Sequence, residues 1–162
     1  MILYHTSDRR IEHPDISFSR AYLDFGKGIY TTPSRLQAEK YAKRFFKEER
    51  PAFLNIFELD DNVESYARYT FEAYDGEWLD YVVLCRRNQP HKVYDMVEGG
   101  IADDDVFNTL DLYMADLIDR EEAIKRLRKK KPNWQICFCN QQLIDRHLHY
   151  VESLEIKNED AS

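Results

Sequence analysis

Gly26 and Gly28 bracket Lys27 and lead straight into Ile29-Tyr30-Thr31, a glycine-loosened turn entering a β-prone segment. Tyr41 follows on the next predicted helix. Two tyrosines, one from a strand and one from the helix after it, can stack on opposite faces of one flat ring. His5, at the end of an earlier strand, can close such a site with a hydrogen bond. The Gly-Lys-Gly triplet is not a phosphate loop, because that pattern needs four residues between its glycines and Ser or Thr after the lysine. Its glycines instead let the backbone turn sharply or approach a ligand closely. Taken singly, His5 reads as a structural histidine and both tyrosines as core aromatics. Only their joint spacing with Gly26 and Gly28 favours a site.

Other reactive residues gather less convincingly. Asp103, Asp104 and Asp105 are most simply a loop and an N-cap ahead of a helix near Val106, and otherwise a group that prepares an acceptor or gates a site. The basic run from Lys125 to Lys131 reads as a solvated helix end. Cys85, Cys137, Cys139, His147 and His149 have no zinc-ribbon spacing, so no metal is expected, and three cysteines make an odd count ill suited to a disulfide framework. A net charge of −7 disfavours nonspecific attraction to nucleic acid or anionic membranes, and no apolar run is long enough to span a bilayer. The opening Met1 to His5 is too short and uncharged for a signal peptide, so a cytoplasmic location is expected. Aromatics at 14% exceed what a core of this size needs and suit a pocket for a planar ligand.

The elements that must position these residues follow from the patterning. Ile2 to His5 reads as a strand ending in Thr6-Ser7-Asp8. Thr32 reads as the N-cap and Pro33 as the first residue of a helix whose stripe is Leu36, Tyr41, Ala42, Phe45 and Phe46, ending near Arg50-Pro51. Phe53 to Leu59 is a dense apolar strand, with Val63 to Thr70 as its hairpin partner. A helix carries Trp78, Val82 and Cys85. A strand over Val93 to Val97 runs into Gly99-Gly100, where the glycines free the backbone. Val106 to Leu117 spaces out a helix, and Asp119 with Glu122 resembles a capping box for another that ends at Lys129 to Lys131. Trp134 to Cys139 is a strand, Gln141 to Arg146 a helical turn, and Tyr150 to Ile156 the last strand. The 162 residues thus predict one α+β domain over 1–156 and a disordered tail over 157–162.

With these elements in place, Leu3-Tyr4-His5-Thr6-Ser7, Phe25-Gly26-Lys27-Gly28-Ile29-Tyr30 and Tyr41 resemble the ADP-ribosyltransferase superfamily in its diphtheria-toxin and poly-ADP-ribose-polymerase branch. Asp24 to Thr32, Asp95-Met96-Val97, Gly100 to Asp104 and Gln135-Ile136-Cys137-Phe138 also resemble the bacterial family labelled domain of unknown function 3990, over about residues 2–150. The resemblance implies a split β-sandwich with flanking helices, the substrate NAD lying between the sheets. It implies that His5 bonds the adenosine-side ribose, that the Thr6 backbone meets the nicotinamide amide, and that Tyr30 and Tyr41 stack on the nicotinamide. Arg20 and Lys27 are candidates for the phosphates, and Gly28 is a candidate cofactor-binding residue through close approach of its backbone.

Gln135 stands where the polymerases carry a catalytic Glu. It can orient the ribose but cannot act as a base, which implies transfer of a single ADP-ribose to an unknown acceptor, with release of nicotinamide. Glu152 or Glu155 on the last strand are further candidates for the acid, and Ala38 stands where a serine is usual. Compact relatives of this kind resemble toxins paired with a small antitoxin protein. The alternative is a binding module that holds NAD or ADP-ribose without turnover.

Overall fold

The apolar alternation at the two ends of the chain is resolved by pairing both ends onto one shared strand. In the computed structural model, which describes residues 1–159, β1 (Ile2–Ser7) lies antiparallel to β3 (Ala52–Leu59), with Leu3 opposite Phe57 and His5 opposite Asn55. On the other flank of β3 lies β7 (Leu148–Ile156), also antiparallel, with an irregularity between Ile56 and Phe57. The order β1-β3-β7 makes β3 central, which is why Ala52, Leu54, Asn55, Ile56, Phe57 and Leu59 are all buried. The hairpin expected between β3 and Val63 to Thr70 does not form. The exposed, polar Arg68–Thr70 is β4, an edge strand of the other sheet.

That second sheet has the order β2-β6-β5-β4. β2 (Ile29–Thr31) and β5 (Met96–Gly100) flank β6 (Trp134–Phe138) antiparallel, and β4 runs parallel to β5. Alternation along β6 divides the interior in two. Ile136 and Phe138, with Met96, meet Leu3, Phe57, Leu59 and Leu143, so the space between the sheets is filled by apolar side chains. Cys137 and Val97 face the other way, into a core built by α2 (Gly76–Arg86), α3 (Asp104–Met114) and α4 (Arg120–Leu127) around Trp78, Leu79, Val106, Leu110 and Leu127. Full burial of each such side chain is worth roughly 1.5–3 kcal/mol. The last helix, α5 (Gln141–His147), feeds β7, and a 3-10 turn over Ile16–Phe18 interrupts the long loop after β1.

Several local expectations change. Ser34, not Thr32, caps α1 (Arg35–Lys47), its hydroxyl accepting from Gln37 N at 3.2 Å. Thr32 is occupied in joining the sheets: it exchanges main-chain bonds with Tyr4 at 2.9 and 3.0 Å, and its hydroxyl donates to Trp134 O. The inner face of α1 is Ala38 and Ala42, while Leu36 and Tyr41 are exposed, because the helix lies close against β1 and β3 and only small residues fit there. β5 starts later than expected and contains both glycines, leaving Val93 exposed. A Cβ on Gly99 would lie 2.9 Å from the Phe25 ring and one on Gly100 would enter the Tyr74 ring, so these glycines serve close packing. Asp103 and Asp119 cap α3 and α4, accepting from Val106 N and Glu122 N, and Leu117 lies beyond α3. Of the predicted tail, residues 160–162 lie outside the described residues. Among the described residues no helix is long and apolar enough to cross a membrane.

Candidate functional site

His5 reaches across from β1 to β2. Its Nδ1 lies 2.6 Å from Tyr30 O, and since a carbonyl only accepts, Nδ1 carries the proton and the neutral ring keeps a bare Nε2. Burial lowers the pKa of His5 from its ordinary value, outweighing the opposing effect of the Tyr30 carbonyl, so the ring is held neutral. Tyr30 itself leaves β2 on the face of Cys137, its cross-strand partner. Its hydroxyl donates to Gly26 O and accepts from Phe25 N at 2.9 Å, and its ring stacks on Phe25 at 6.5 Å between centroids. Burial foremost, and the neighbouring Cys137, push the phenol far above its ordinary value. Tyr30 is therefore a neutral donor that holds the turn containing Gly26, whose φ of +81° suits glycine.

Thr6 is the next residue on β1, with its hydroxyl donating to Ala38 O of α1 at 2.5 Å. In an antiparallel strand the N–H and C=O of one residue leave on the same side, and the side alternates along the chain. Tyr4 directs both groups away from β3, to Thr32, so Thr6 directs its pair the same way, along the open edge of β1. Tyr41 lies outward on α1, its ring packed edge-on to Phe45 and carrying the Arg44 guanidinium 4.9 Å from its centroid. Its ring contacts are with its own helix; none is with Tyr30.

Gln135 lies one strand over on β6, buried and opposite Gly99. Its Nε2 donates to Asp24 Oδ2 at 3.3 Å and to Gly100 O at 3.4 Å. The Asp24 carboxylate also accepts from Arg86 at 2.8 Å (Nε) and 2.5 Å (Nη2), and from Ala102 N at 3.3 Å. Arg86 in turn lies 5.1 Å over the Phe107 ring of α3. Asp24 thus joins the β2 loop to α2, to the end of β5 and to β6. It opens the motif running from Asp24 to Thr32, but that reading gave it no role, although an acid set between Leu23 and Phe25 was a visible sign of a buried charge needing partners.

The remaining candidates divide. The N–H of Gly28 is spent on Ser19 Oγ at 3.0 Å, and a Cβ there would lie 2.6 Å from Cys137 Sγ and 2.7 Å from Phe138 O, so this glycine lets β2 press onto β6. Arg20 and Lys27 are exposed on the same loop. Asp103 is occupied as the α3 cap and by Asn133 Nδ2 at 3.3 Å, whereas Asp104 is exposed in the first turn of α3. Glu152 and Glu155 lie exposed on β7, in the other sheet from Gln135; the carboxylate beside Gln135 is Asp24. His147 and His149 bond Asp60 at 2.9 and 2.8 Å, away from the cysteines, of which Cys137 and Cys139 have their sulfurs 3.5 Å apart. Two surface depressions lie elsewhere. One of about 410 Å³ borders β4 at Tyr66, Arg68 and Glu98, and one of about 480 Å³ lies between Phe46, Arg50 and Glu155.

The arrangement therefore brings His5, Thr6, Tyr30, Thr32 and Gln135 to one seam, where the edge of β1 meets β2 and the start of β6. It offers a neutral imidazole, an open main-chain donor and acceptor, and an amide of fixed orientation. A family described as Protein of unknown function (DUF3990) matches residues 1–150. No curated protein and no solved structure matches the chain.

Proposed function

This chain belongs to the DUF3990 family of proteins of unknown function, and from the geometry of its seam we propose that it is an NAD-dependent mono-ADP-ribosyltransferase on an ADP-ribosyltransferase-like split sandwich. The observation that carries this reading is the open edge of β1 at Thr6, beside a His5 fixed to Tyr30 O at 2.6 Å. A carboxamide offers one donor and one acceptor side by side, and the Thr6 N–H and C=O are their complement. His5 Nε2, bare because Nδ1 holds the proton, accepts from a ribose hydroxyl, and Gln135 supplies a further hydrogen bond on the nicotinamide side.

In the reaction the glycosidic bond between ribose C1′ and the nicotinamide nitrogen breaks. Its electron pair leaves with nicotinamide, and the oxocarbenium-like ribose is taken by an acceptor nucleophile that loses its proton. The protein's part is to hold the two ends of NAD so that this bond is exposed to the acceptor and not to water. Exposed Arg20 and Lys27 serve the diphosphate, and Tyr41 serves the ring from the α1 side. The packed interior between the sheets leaves the rim as the place of binding. Within this reading the chain acts in the cytoplasm as the toxin of a toxin–antitoxin pair, with a small antitoxin protein as partner.

Calorimetry with NAD, run beside an assay for released nicotinamide, tests the proposal. Wild type binds and releases, and His5→Ala and Tyr30→Ala weaken binding about tenfold or more, the equivalent of ~1.4 kcal/mol. Absence of binding by the folded wild-type protein overturns it. A second reading, a module that holds NAD or ADP-ribose without turnover, is favoured by the amide of Gln135 where a carboxylate would do the chemistry; binding without release identifies it.

A further inference from the structure

We propose that Asp24 is a positioning residue that fixes the side-chain amide of Gln135, so that the oxygen and not the nitrogen meets a hydroxyl of the bound sugar. The inference rests on the NAD reading and goes beyond it, because it explains how an amide serves at a place where an acid is expected.

An amide side chain has two nearly isosteric orientations, and only its hydrogen-bond partners distinguish them. Here both partners on one side are acceptors, Asp24 Oδ2 at 3.3 Å and Gly100 O at 3.4 Å. The flipped orientation would set oxygen against a carboxylate and against a carbonyl. Gln135 Nε2 therefore faces inward with both protons used, and Oε1 faces the other way. No described residue donates to Oε1, and no buried side-chain polar atom lacks a partner, so this oxygen keeps contact with solvent although the residue as a whole is buried. An outward-facing oxygen accepts from a hydroxyl as a carboxylate oxygen does, without the charge.

Asp24 can fix the amide because it is itself fixed. Arg86 holds Oδ1 with two nitrogens, Ala102 N–H reaches Oδ2, and the guanidinium is sandwiched against Phe107. Gly100 O is held as well, by the indole N–H of Trp78 at 3.1 Å. The same neighbour explains the residue type at 135. A Glu there would place a second carboxylate against Asp24 and a carbonyl, with no proton to share unless one acid stayed protonated. The acid of this site has moved one residue behind the group that faces the ligand.

The test uses Asp24→Asn, Gln135→Glu and the double variant, which exchanges donor and acceptor so that an amide at 24 donates to a carboxylate at 135. In wild type, the nitrogen-15 spectrum shows the two Gln135 side-chain protons widely separated and slow to exchange. Asp24→Asn narrows that separation toward the value of an exposed glutamine and speeds exchange, because the charged acceptor that held the amide is gone. Asp24→Asn leaves the KM for NAD within about threefold and lowers kcat for nicotinamide release about ten- to a hundredfold, the range for losing one oriented transition-state contact. Gln135→Glu acquires a pH-dependent rate from its paired carboxylates, and the double variant loses that limb and recovers to within about tenfold of wild type.

Gln135 protons that behave like those of exposed glutamines in wild type overturn the inference whatever NAD does. So does an Asp24→Asn that melts earlier but keeps wild-type kcat, since that is a structural role alone. Wild type that shows the protected amide but binds no NAD sinks the NAD reading, and the ligand-facing role of Oε1 falls with it.

Discussion

The two sheets spend their polar groups differently. In the three-stranded sheet, strands of six to nine residues form long ladders, and the polar side chains among them close on the protein itself. Buried Asn55 accepts from Ile11 N and Ser153 Oγ and donates to Arg9 O, and Asp60 is held by His147, His149 and Asn62 N. In the four-stranded sheet the strands run three to five residues, and their connections are made by side chains: Tyr30 to the turn at Gly26, Thr32 to Trp134, Gln135 to Asp24. Short ladders leave acceptors and donors unspent at their ends. The groups suited to binding a ligand therefore collect at the seam, where the regular sheet supplies a rigid edge and the irregular one supplies directed side chains.

The largest effect that sharpens this contrast belongs to the regular sheet. Phe57 is fully buried between the sheets and packs edge-on to Tyr150 at 5.9 Å, so Phe57→Ala should cost about 3–5 kcal/mol in urea unfolding. A cost below about 1 kcal/mol would show that the intersheet core is not what holds the molecule together. Gly100→Ala comes next, at about 3 kcal/mol, because its new methyl would enter the ring of Tyr74, whose hydroxyl donates to Ile101 O. Arg86→Met should follow at about 2 kcal/mol. It strips the Asp24 carboxylate of its ion pair and Phe107 of the guanidinium over its ring while keeping an unbranched side chain there, and the partial exposure of Arg86 keeps the cost below that of a deeply buried pair. Arg86→Met should also loosen the Gln135 amide, whereas Phe57→Ala should leave it ordered in the folded protein.

What the sequence showed divides along the same line. β1 and β3 were legible because apolar runs bounded by turn residues signal strands directly, and β7 because its residues alternate. The partner of β3 was not, since local pattern carries no information about which distant strand will pair, and a turn signal at Asp60 to Asn62 favoured the nearest one. β5 was misplaced because Gly99 and Gly100 read as a break. Their reason is the rings of Phe25 and Tyr74, which come from other parts of the chain. The candidate residues His5, Tyr30 and Gln135 were singled out by motif, and the structure sets them at one seam. The role of Asp24 was missed because it depends wholly on three partners, Arg86, Ala102 and Gln135, that lie 62, 78 and 111 positions away in sequence.

The smallest effects lie in pH. His5 is held below its ordinary pKa of 6.5 by burial, so the unfolded chain takes a proton there that the folded chain refuses. Its folded form therefore loses stability as the pH falls below about 6.5, and His5→Gln should flatten that part of a melting-temperature profile. Asp60 titrates in the opposite sense and in another window. His149 foremost, with the Asn62 N–H and His147, holds its carboxyl at about 2, so its contribution is present above the ordinary carboxylate range and disappears as the pH falls through about 2. Asp60→Asn should flatten the profile only below about pH 4. Salt separates the two further. The Asp60 cluster sits at the surface and its contribution should shrink between low and high ionic strength, whereas burial, which is what acts on His5, is not screened. If both windows responded to salt alike, His5 would be an exposed histidine, and the seam would lose the neutral imidazole that the proposed binding of NAD calls on.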